Sequence, residues 1–394
     1  MKEYFRRTWL EINTDALRAN YGAIRNITSP GAKIMAVVKA DAYGHGVENV
    51  VKELALCGCD WFAVSNLEEA IQVRSVCSDC GVLILGYTPA EYAGVLALNN
   101  ISQAVFDSVY ADELSAQADK EGVTVSIHLK VDTGMCRLGF IYHDSERDSG
   151  TADEIARVCA LPGLYPEGIF THFARADEEG EGEVFTRLQF DLFLSLLNEL
   201  EIDGLTFEYR HCCNSAATVL FPECHLDMVR PGVILYGLAP SETVKNHLAL
   251  TPAMQMKTVV SMVKDIDEDS AVSYGGTFVS KKKMRVATVP IGYADGYPRS
   301  ISGNTSMLIN GHRVPVIGRI CMDQCILDVT DVDGVKPDMS VTVFGRNKGN
   351  EITVDEIAKK HGTINYEIIC GINKRVPRVY TGEGRIVAIA DYMK

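Results

Sequence analysis

No apolar stretch among the 394 residues approaches the roughly 20 residues that a membrane-spanning helix requires. No such helix is therefore expected. The amino-terminal segment MKEYFRRTWLEI is charged and lacks the apolar core of a secretory signal, which leads to the expectation of a cytoplasmic protein. Clusters of basic residues are also missing. With a net charge of −14, the chain is poorly suited to nucleic acid or anionic membranes as partners. Its one lysine run, Lys281–Lys283, reads as a solvated turn between strands. A disulfide framework is not expected of a cytoplasmic chain, so the 12 cysteines are expected as thiols. Cys57-x-Cys59 and Cys77-x-x-Cys80 have no second pair or histidine at a usual spacing to complete a zinc site, and no metal is expected. Cys212-Cys213, at a predicted strand end, reads as packing. No low-complexity linker divides the chain.

What is present is ordinary globular composition, 47% hydrophobic and 23% charged. The length exceeds one typical domain and favours two. Thr8–Asn13 alternates as a short strand, and Thr14 and Asp15 open a helix with Leu17, Tyr21 and Ile24 on one face. Strands then read at Ile34–Val38, Trp61–Val64, Val82–Leu85, Gln103–Phe106, Val123–Val131, Gly168–His172, Thr206–Tyr209 and Val229–Leu235. Helical patterns separate them, at Val47–Leu56, Leu67–Val76, Glu91–Leu98, Ala111–Asp119, Ala152–Cys159, Glu183–Leu200 and Ala216–Leu220. Eight such repeats over roughly 230 residues fit an α/β fold closed as a (β/α)8 TIM-type barrel, with a doubly wound open sheet as the alternative. After Pro240 the texture changes to short strands: Met254–Val263, Arg285–Val289, Met307–Ile309, Val314–Ile317, Cys325–Val329 and Val341–Phe344. Asn310-Gly311 is a hairpin turn, and Thr353–His361 is the only helix expected there. The domains are thus a barrel at 9–240 and a mainly β domain at 241–394.

The stretch with the clearest chemistry is Ile34–Gly46, IMAVVKADAYGHG. Its buried strand ends on Lys39, at the carboxyl end where α/β enzymes place their reactive groups. A partly desolvated lysine has a lowered pKa and can condense with an aldehyde. For a lone lysine the competing reading is a side chain that merely snorkels into solvent.

VVKADAYGHG resembles the cofactor-lysine segment of alanine racemases. HLKVDTGMCRLGF, THFARAD, NSAAT, VRPGVILYG, SYGGTF, IGYADGY, GRICMD, NYEI and RVPR follow in that family's order. The resemblance covers residues 9 to 378. It implies a pyridoxal 5′-phosphate (PLP) enzyme on a (β/α)8 barrel, interconverting L- and D-alanine by two bases and supplying D-alanine for bacterial peptidoglycan. It also implies that the amino-terminal strand, within 1–13, joins the β domain.

By this resemblance Lys39 carries the cofactor and acts as one base. Tyr274 is the other, oriented by His172 and Arg230. Arg230 faces the cofactor ring nitrogen, where its permanent charge disfavours a second one. Ser215, the backbone at Gly232 and Val233, and the hydroxyls of Tyr43 and Tyr366 hold the phosphate. Ser215 also reads as a helix N-cap. Arg137 suits the substrate carboxylate, helped by the Met322 backbone N–H. Lys130 matches a lysine that is often carbamylated in the family. Tyr293, Arg319, Asp323 and Tyr366 match a narrow substrate corridor. Tyr366 favours a methyl side chain, whereas related serine-racemising enzymes usually have asparagine there. The resemblance further implies a head-to-tail homodimer whose two sites each draw Tyr274, Met322 and Asp323 from the other chain. One departure stands out: Cys136 occupies a position that is usually glycine. The alternatives are a racemase of serine, lysine or another amino acid, a barrel-type decarboxylase, a non-catalytic PLP carrier, and a racemase-like scaffold or sensor. Arg230 argues against the decarboxylase, and the β domain with Tyr274 argues against the carrier.

Overall fold

The computed structural model describes Tyr4 and residues 6–394. Of the amino-terminal segment 1–13 assigned to the β domain, residues 1–3 and 5 lie outside the described residues. The chain forms two compact units: Leu17–Ala42 with Val47–Thr251, and Tyr4 and residues 6–16 with Tyr43–Gly46 and Pro252–Lys394. The bounds differ from 240/241 because chain connectivity does not decide which residues pack together.

In sequence order the principal strands of both units are β1 (Thr8–Asn13), β2 (Lys33–Val37), β3 (Trp61–Val64), β4 (Gly81–Ile84), β5 (Ser102–Val105), β6 (Val125–Asp132), β7 (Leu164–Phe170), β8 (Tyr209–His211) and β9 (Met228–Val229). In the first unit the parallel order is β5-β4-β3-β2-β9-β8-β7-β6, and a β5–β6 pairing closes the ring. That closure rules out the open sheet. Helices fill the crossovers, so the strands are covered on both faces and read as continuous apolar runs. All four residues of β3 are buried. Local caps set the helix starts. Asn66 accepts from the Glu69 N–H and Asp107 from the Tyr110 N–H, each satisfying an orphan donor of a first turn.

Three barrel strands differ from expectation by three residues or more at one end. The sixth strand runs Leu164–Phe170, and the seventh is Tyr209–His211 rather than Thr206–Tyr209. The last is only Met228–Val229. Pro231 has no N–H for a ladder, and the chain turns at Gly232 into a 3-10 turn at Val233–Tyr236.

The second unit continues with β10 (Met254–Val259), β11 (Met262–Ile266), β12 (Met284–Val289), β13 (Ser306–Ile309), β14 (His312–Ile317), β15 (Cys325–Asp328), β16 (Ser340–Asn347), β17 (Arg378–Gly382) and β18 (Arg385–Ala390). Its sheet runs β11-β12-β15-β14-β13-β16-β10-β1-β17-β18. β1 pairs antiparallel with β10 and parallel with β17. Asn310 and Gly311 join β13 to β14 with φ of 52° and 84°, the left-handed pair of a type I′ turn whose twist matches the strands. The expected single strand Met254–Val263 is two strands, because the chain changes sheet partner at Val260-Ser261. A second helix at Asn365–Cys370 and the last two strands escaped the sequence reading.

Candidate active site

In the barrel unit, β2 delivers Lys39 at its carboxyl end. The next four residues, Ala40, Asp41, Ala42 and Tyr43, all have φ between 52° and 54°. A left-handed turn of four non-glycine residues costs roughly 1–2 kcal/mol per residue. Such strain persists only where neighbours hold it, commonly at functional sites. Here the Glu69 carboxylate accepts the N–H groups of Ala40 (2.7 Å) and Ser65 (2.8 Å). The Asp41 carboxylate accepts the Val47 N–H at 2.9 Å, at the start of the next helix. Glu69 and Asp41 were missed from sequence. An acid in the first turn of a helix looks like an ordinary solvated side chain.

The chain after β9 brings Arg230 into the barrel, almost wholly buried at 3% exposure. Its Nη1 donates to His211 Nδ1 at 2.6 Å. Its Nη2 donates to the Thr171 carbonyl (2.8 Å) and the Cys212 carbonyl (3.1 Å), and lies 3.2 Å from His172 Nδ1. Burial lowers Arg230 to about 10, so it stays cationic at neutral pH. Both histidines are pushed well below the usual imidazole range, first by burial and then by the Arg230 charge. They are neutral imidazoles. Because Arg230 can only donate, His211 accepts at Nδ1 and carries its proton on Nε2. That nitrogen meets His128 Nδ1 at 2.9 Å, and His128 Nε2 meets the Glu167 carboxylate at 3.1 Å. Donation therefore runs from Arg230 through His211 and His128 to the Glu167 carboxylate. His128, Glu167 and His211 were not singled out from sequence, since isolated histidines on strands carry no periodic signal.

Lys130 is buried on β6 with Nζ donating to the Val131 carbonyl at 3.1 Å. Burial, and then the Arg230 charge, push its pKa well down. Lys130 and Arg230 lie over the same Phe170 ring, at 5.0 and 5.2 Å. Arg137 is exposed and makes no hydrogen bond or ion pair among the described residues. Ser215 is the first residue of its helix and not the cap expected of it. Asn214 caps, accepting the Ala217 N–H at 3.0 Å. Ser215 Oγ instead accepts the Gly232 N–H at 2.8 Å, which leaves its own proton to donate. Val233 is fully buried beside it in sequence.

In the β unit, Tyr274 is 70% exposed on a 3-10 turn. Ser273 fixes that turn by donating to the Arg319 carbonyl at 2.6 Å. Gly275 has φ of 72°, and a Cβ there would come within 2.9 Å of the Arg319 guanidinium. Tyr293 and Met322 are brought together. The N–H groups of Tyr293 and Ala294 donate to the carbonyls of Cys321 and Met322 at 3.1 and 3.0 Å. The Met322 N–H donates to no group among the described residues. Asp323 takes a 2.7 Å bond from Arg375, which also donates to the buried Asp295 at 2.8 Å. Arg7 completes that cluster, reaching Asp295 at 2.5 Å. Burial alone would raise Asp295, but the bonds from Arg7, Arg375 and the Gly292 N–H hold it below the usual carboxylate range. The Tyr43 and Tyr366 rings pack at 6.0 Å, and burial raises the Tyr43 phenol above its ordinary value.

A closed parallel barrel with a strand-end lysine on a strained turn, and a cationic arginine seated on neutral histidines, places reactive groups at the carboxyl ends of the strands, as barrel-type enzymes do. Comparison with known proteins narrows this. Residues 12–240 match the family described as alanine racemase, N-terminal domain, and residues 253–380 match alanine racemase, C-terminal domain. The chain belongs to the alanine racemase family. It is 42% identical to alanine racemase 2 of Caldanaerobacter subterraneus subsp. tengcongensis, with both chains fully covered. It is 44% identical to the alanine racemase of Methanococcus maripaludis over 94% of this chain and 98% of that one. Among solved structures, alanine racemase from Clostridium difficile 630 superposes with a TM-score of 0.93 at 38% identity, each chain fully covered. The Bacillus anthracis alanine racemase with bound L-Ala-P gives 0.92 at 34% identity, covering 100% of this chain and 99% of that one.

Proposed function

We infer that this chain interconverts L- and D-alanine with pyridoxal 5′-phosphate, using Lys39 and Tyr274 as the two bases. The observation that carries the reading is buried Arg230, cationic and held by neutral His211 and His172. The donor set suits the cofactor. Lys39 offers an amine, Ser215 a hydroxyl proton not engaged with Gly232, and the buried turn after Arg230 its backbone. Lys39, Ser215, Gly232, Val233, Tyr43 and Tyr366 would hold it, with Arg230 toward the ring nitrogen. When bound, it acidifies the alanine Cα–H by absorbing the electron pair left behind.

The residues supply the rest. Lys39 Nζ takes or returns the proton on one face, and the Tyr274 phenol does so on the other. Arg230 denies the ring nitrogen a proton, because its guanidinium donates only. His172 stays neutral among cations, so it can accept and pass a proton. Arg137 and the Met322 N–H hold the substrate carboxylate. The lowered Lys130 pKa favours the neutral amine, the form that adds carbon dioxide, and the resulting carbamate anion would hold Arg137. Tyr293, Arg319, Asp323 and Tyr366 form the corridor, and the Tyr43–Tyr366 pair favours a methyl side chain.

Tyr274, Met322 and Tyr293 are 70%, 53% and 41% exposed on one chain. This supports a homodimer in which a second copy brings these groups to Lys39, the barrel being the cofactor domain and the β domain the donor of the second base. Among the described residues no helix is long and apolar enough to cross a membrane. We assign the enzyme to the cytoplasm and its D-alanine to peptidoglycan synthesis.

The test is racemisation by the purified, PLP-loaded protein on L-alanine, L-serine and L-lysine, alongside Lys39→Ala and Tyr274→Ala. Fast turnover of alanine alone is expected. Lys39→Ala should lose the visible absorbance of bound cofactor, and Tyr274→Ala should keep the absorbance and lose turnover. Full activity in Tyr274→Ala would remove it from the mechanism, and a preference for serine or lysine would overturn the substrate.

A further inference from the structure

The turn after β6 carries a cluster that racemisation does not use. Asp132 Oδ1 accepts the N–H groups of Gly134, Met135 and Cys136 at 2.9, 2.9 and 3.0 Å. These bonds fold the chain back so that Cys136 returns to the carboxylate. His143, just past the short strand Phe140–Ile141, brings Nε2 to 3.4 Å from the same oxygen. Its backbone N–H is pinned by Asp148 at 2.8 Å. One ligand atom each from Asp132, Cys136 and His143 lies within 4.8 Å of the others, the one such group among the described residues.

The donor set suits a divalent cation. Thiolate, imidazole and carboxylate are the donors zinc takes, and ligands about 2.0–2.3 Å from a tetrahedral zinc stand roughly 3.3–3.8 Å apart. The Asp132–His143 spacing falls in that range. Asp132 is buried and rigidly held, His143 is half-buried and Cys136 is exposed, so an ion has a route from solvent. Three protein ligands leave a fourth position for water. Cys136 also sits at φ of 55°, where an L side chain is strained by about 1 kcal/mol. Glycine would hold this turn freely, yet the chain places a thiol there. Sequence reading weighed only the two cysteine pairs, because D-x3-C-x6-H matches no common zinc spacing.

We propose that Asp132, Cys136 and His143 form a binding site for a thiophilic divalent cation of the zinc class. The next residue is Arg137, so a bound ion fixes the turn that presents this arginine.

The test titrates the chelator-treated holoenzyme with Co2+ as a spectroscopic stand-in for Zn2+. One equivalent should bind with a thiolate-to-metal charge-transfer band that Zn2+ abolishes. Cys136→Gly, which relieves the left-handed strain and so keeps the fold, should lose the band. His143→Ala should weaken binding by about tenfold or more. No band in the parent protein, or the same band in Cys136→Gly, would overturn the site, the latter assigning the metal to other cysteines. The readout does not depend on turnover, so its failure leaves the racemase reading standing, and the converse also holds.

Discussion

The histidine chain behind Arg230 makes a demanding prediction for His211→Ala. The imidazole joins Arg230 Nη1 at 2.6 Å to His128 Nδ1 at 2.9 Å, with all three residues buried or nearly so. Truncation strands a guanidinium N–H and a ring nitrogen, at roughly 1–3 kcal/mol each. It also leaves a cavity costing about 1 kcal/mol. The expected loss is about 3–7 kcal/mol, at the top of what single substitutions do. Denaturant unfolding of the purified protein reads it as a fall in midpoint. The remaining enzyme should lose kcat by about tenfold, some 1.4 kcal/mol of barrier, with KM for alanine little changed because Arg137 is a separate group. Glu167 sharpens the test. Its Oε2 accepts from both Ser102 and His128, at 2.5 and 3.1 Å. A glutamine oxygen can accept both bonds, so Glu167→Gln should cost only about 1 kcal/mol while Glu167→Ala costs about 2–4. A His211→Ala protein within 1 kcal/mol of its parent and with unchanged kcat would refute the reasoning. Bonds to the Thr171 and Cys212 carbonyls would then suffice to hold Arg230.

Acidification should destabilise the protein. His172 and His211 stay neutral in the fold but protonate when unfolded below about pH 6.5, so the unfolded chain binds more protons there. Their contribution is complete above pH 6.5 and falls below it by up to ~1.4 kcal/mol per pH unit for each. Unfolding free energy that is flat from pH 7 to pH 5 would contradict this. Asp295→Ala should cost about 1.5–3 kcal/mol, because Arg7 and Arg375, each about a third exposed, lose charged hydrogen bonds to a buried carboxylate; chemical denaturation checks this, and a loss under 1 kcal/mol would refute it. Lys130 should take up labelled bicarbonate as a carbamate visible by carbon NMR in the parent and absent in Lys130→Ala. No signal in the parent would exclude the modification.

Periodicity was enough to give the strand–helix alternation and the β-rich second half, because burial on one or both faces writes itself into residue spacing; closure into a barrel rather than an open sheet was decided by the β5–β6 pairing. Asn310-Gly311 fixed its hairpin for an equally local reason: it tolerates positive φ. Motif order nominated Lys39, Arg230, Tyr274 and Arg137. Local pattern could not report partnership at a distance. His211 sits on Arg230 and on His128 83 residues away, Arg375 reaches Asp295 across 80 residues, and Glu69 catches the Lys39 turn from another helix. Tyr43–Gly46 packs with Arg378 and Tyr380, which donate to the Gly44 and His45 carbonyls, although its sequence reads on from a barrel strand. Hydrogen bonds and desolvation depend on which groups meet in space. Only the tertiary structure therefore decided that the two histidines are neutral, that Lys130 is driven toward its amine form, and that Cys136 faces a carboxylate and an imidazole.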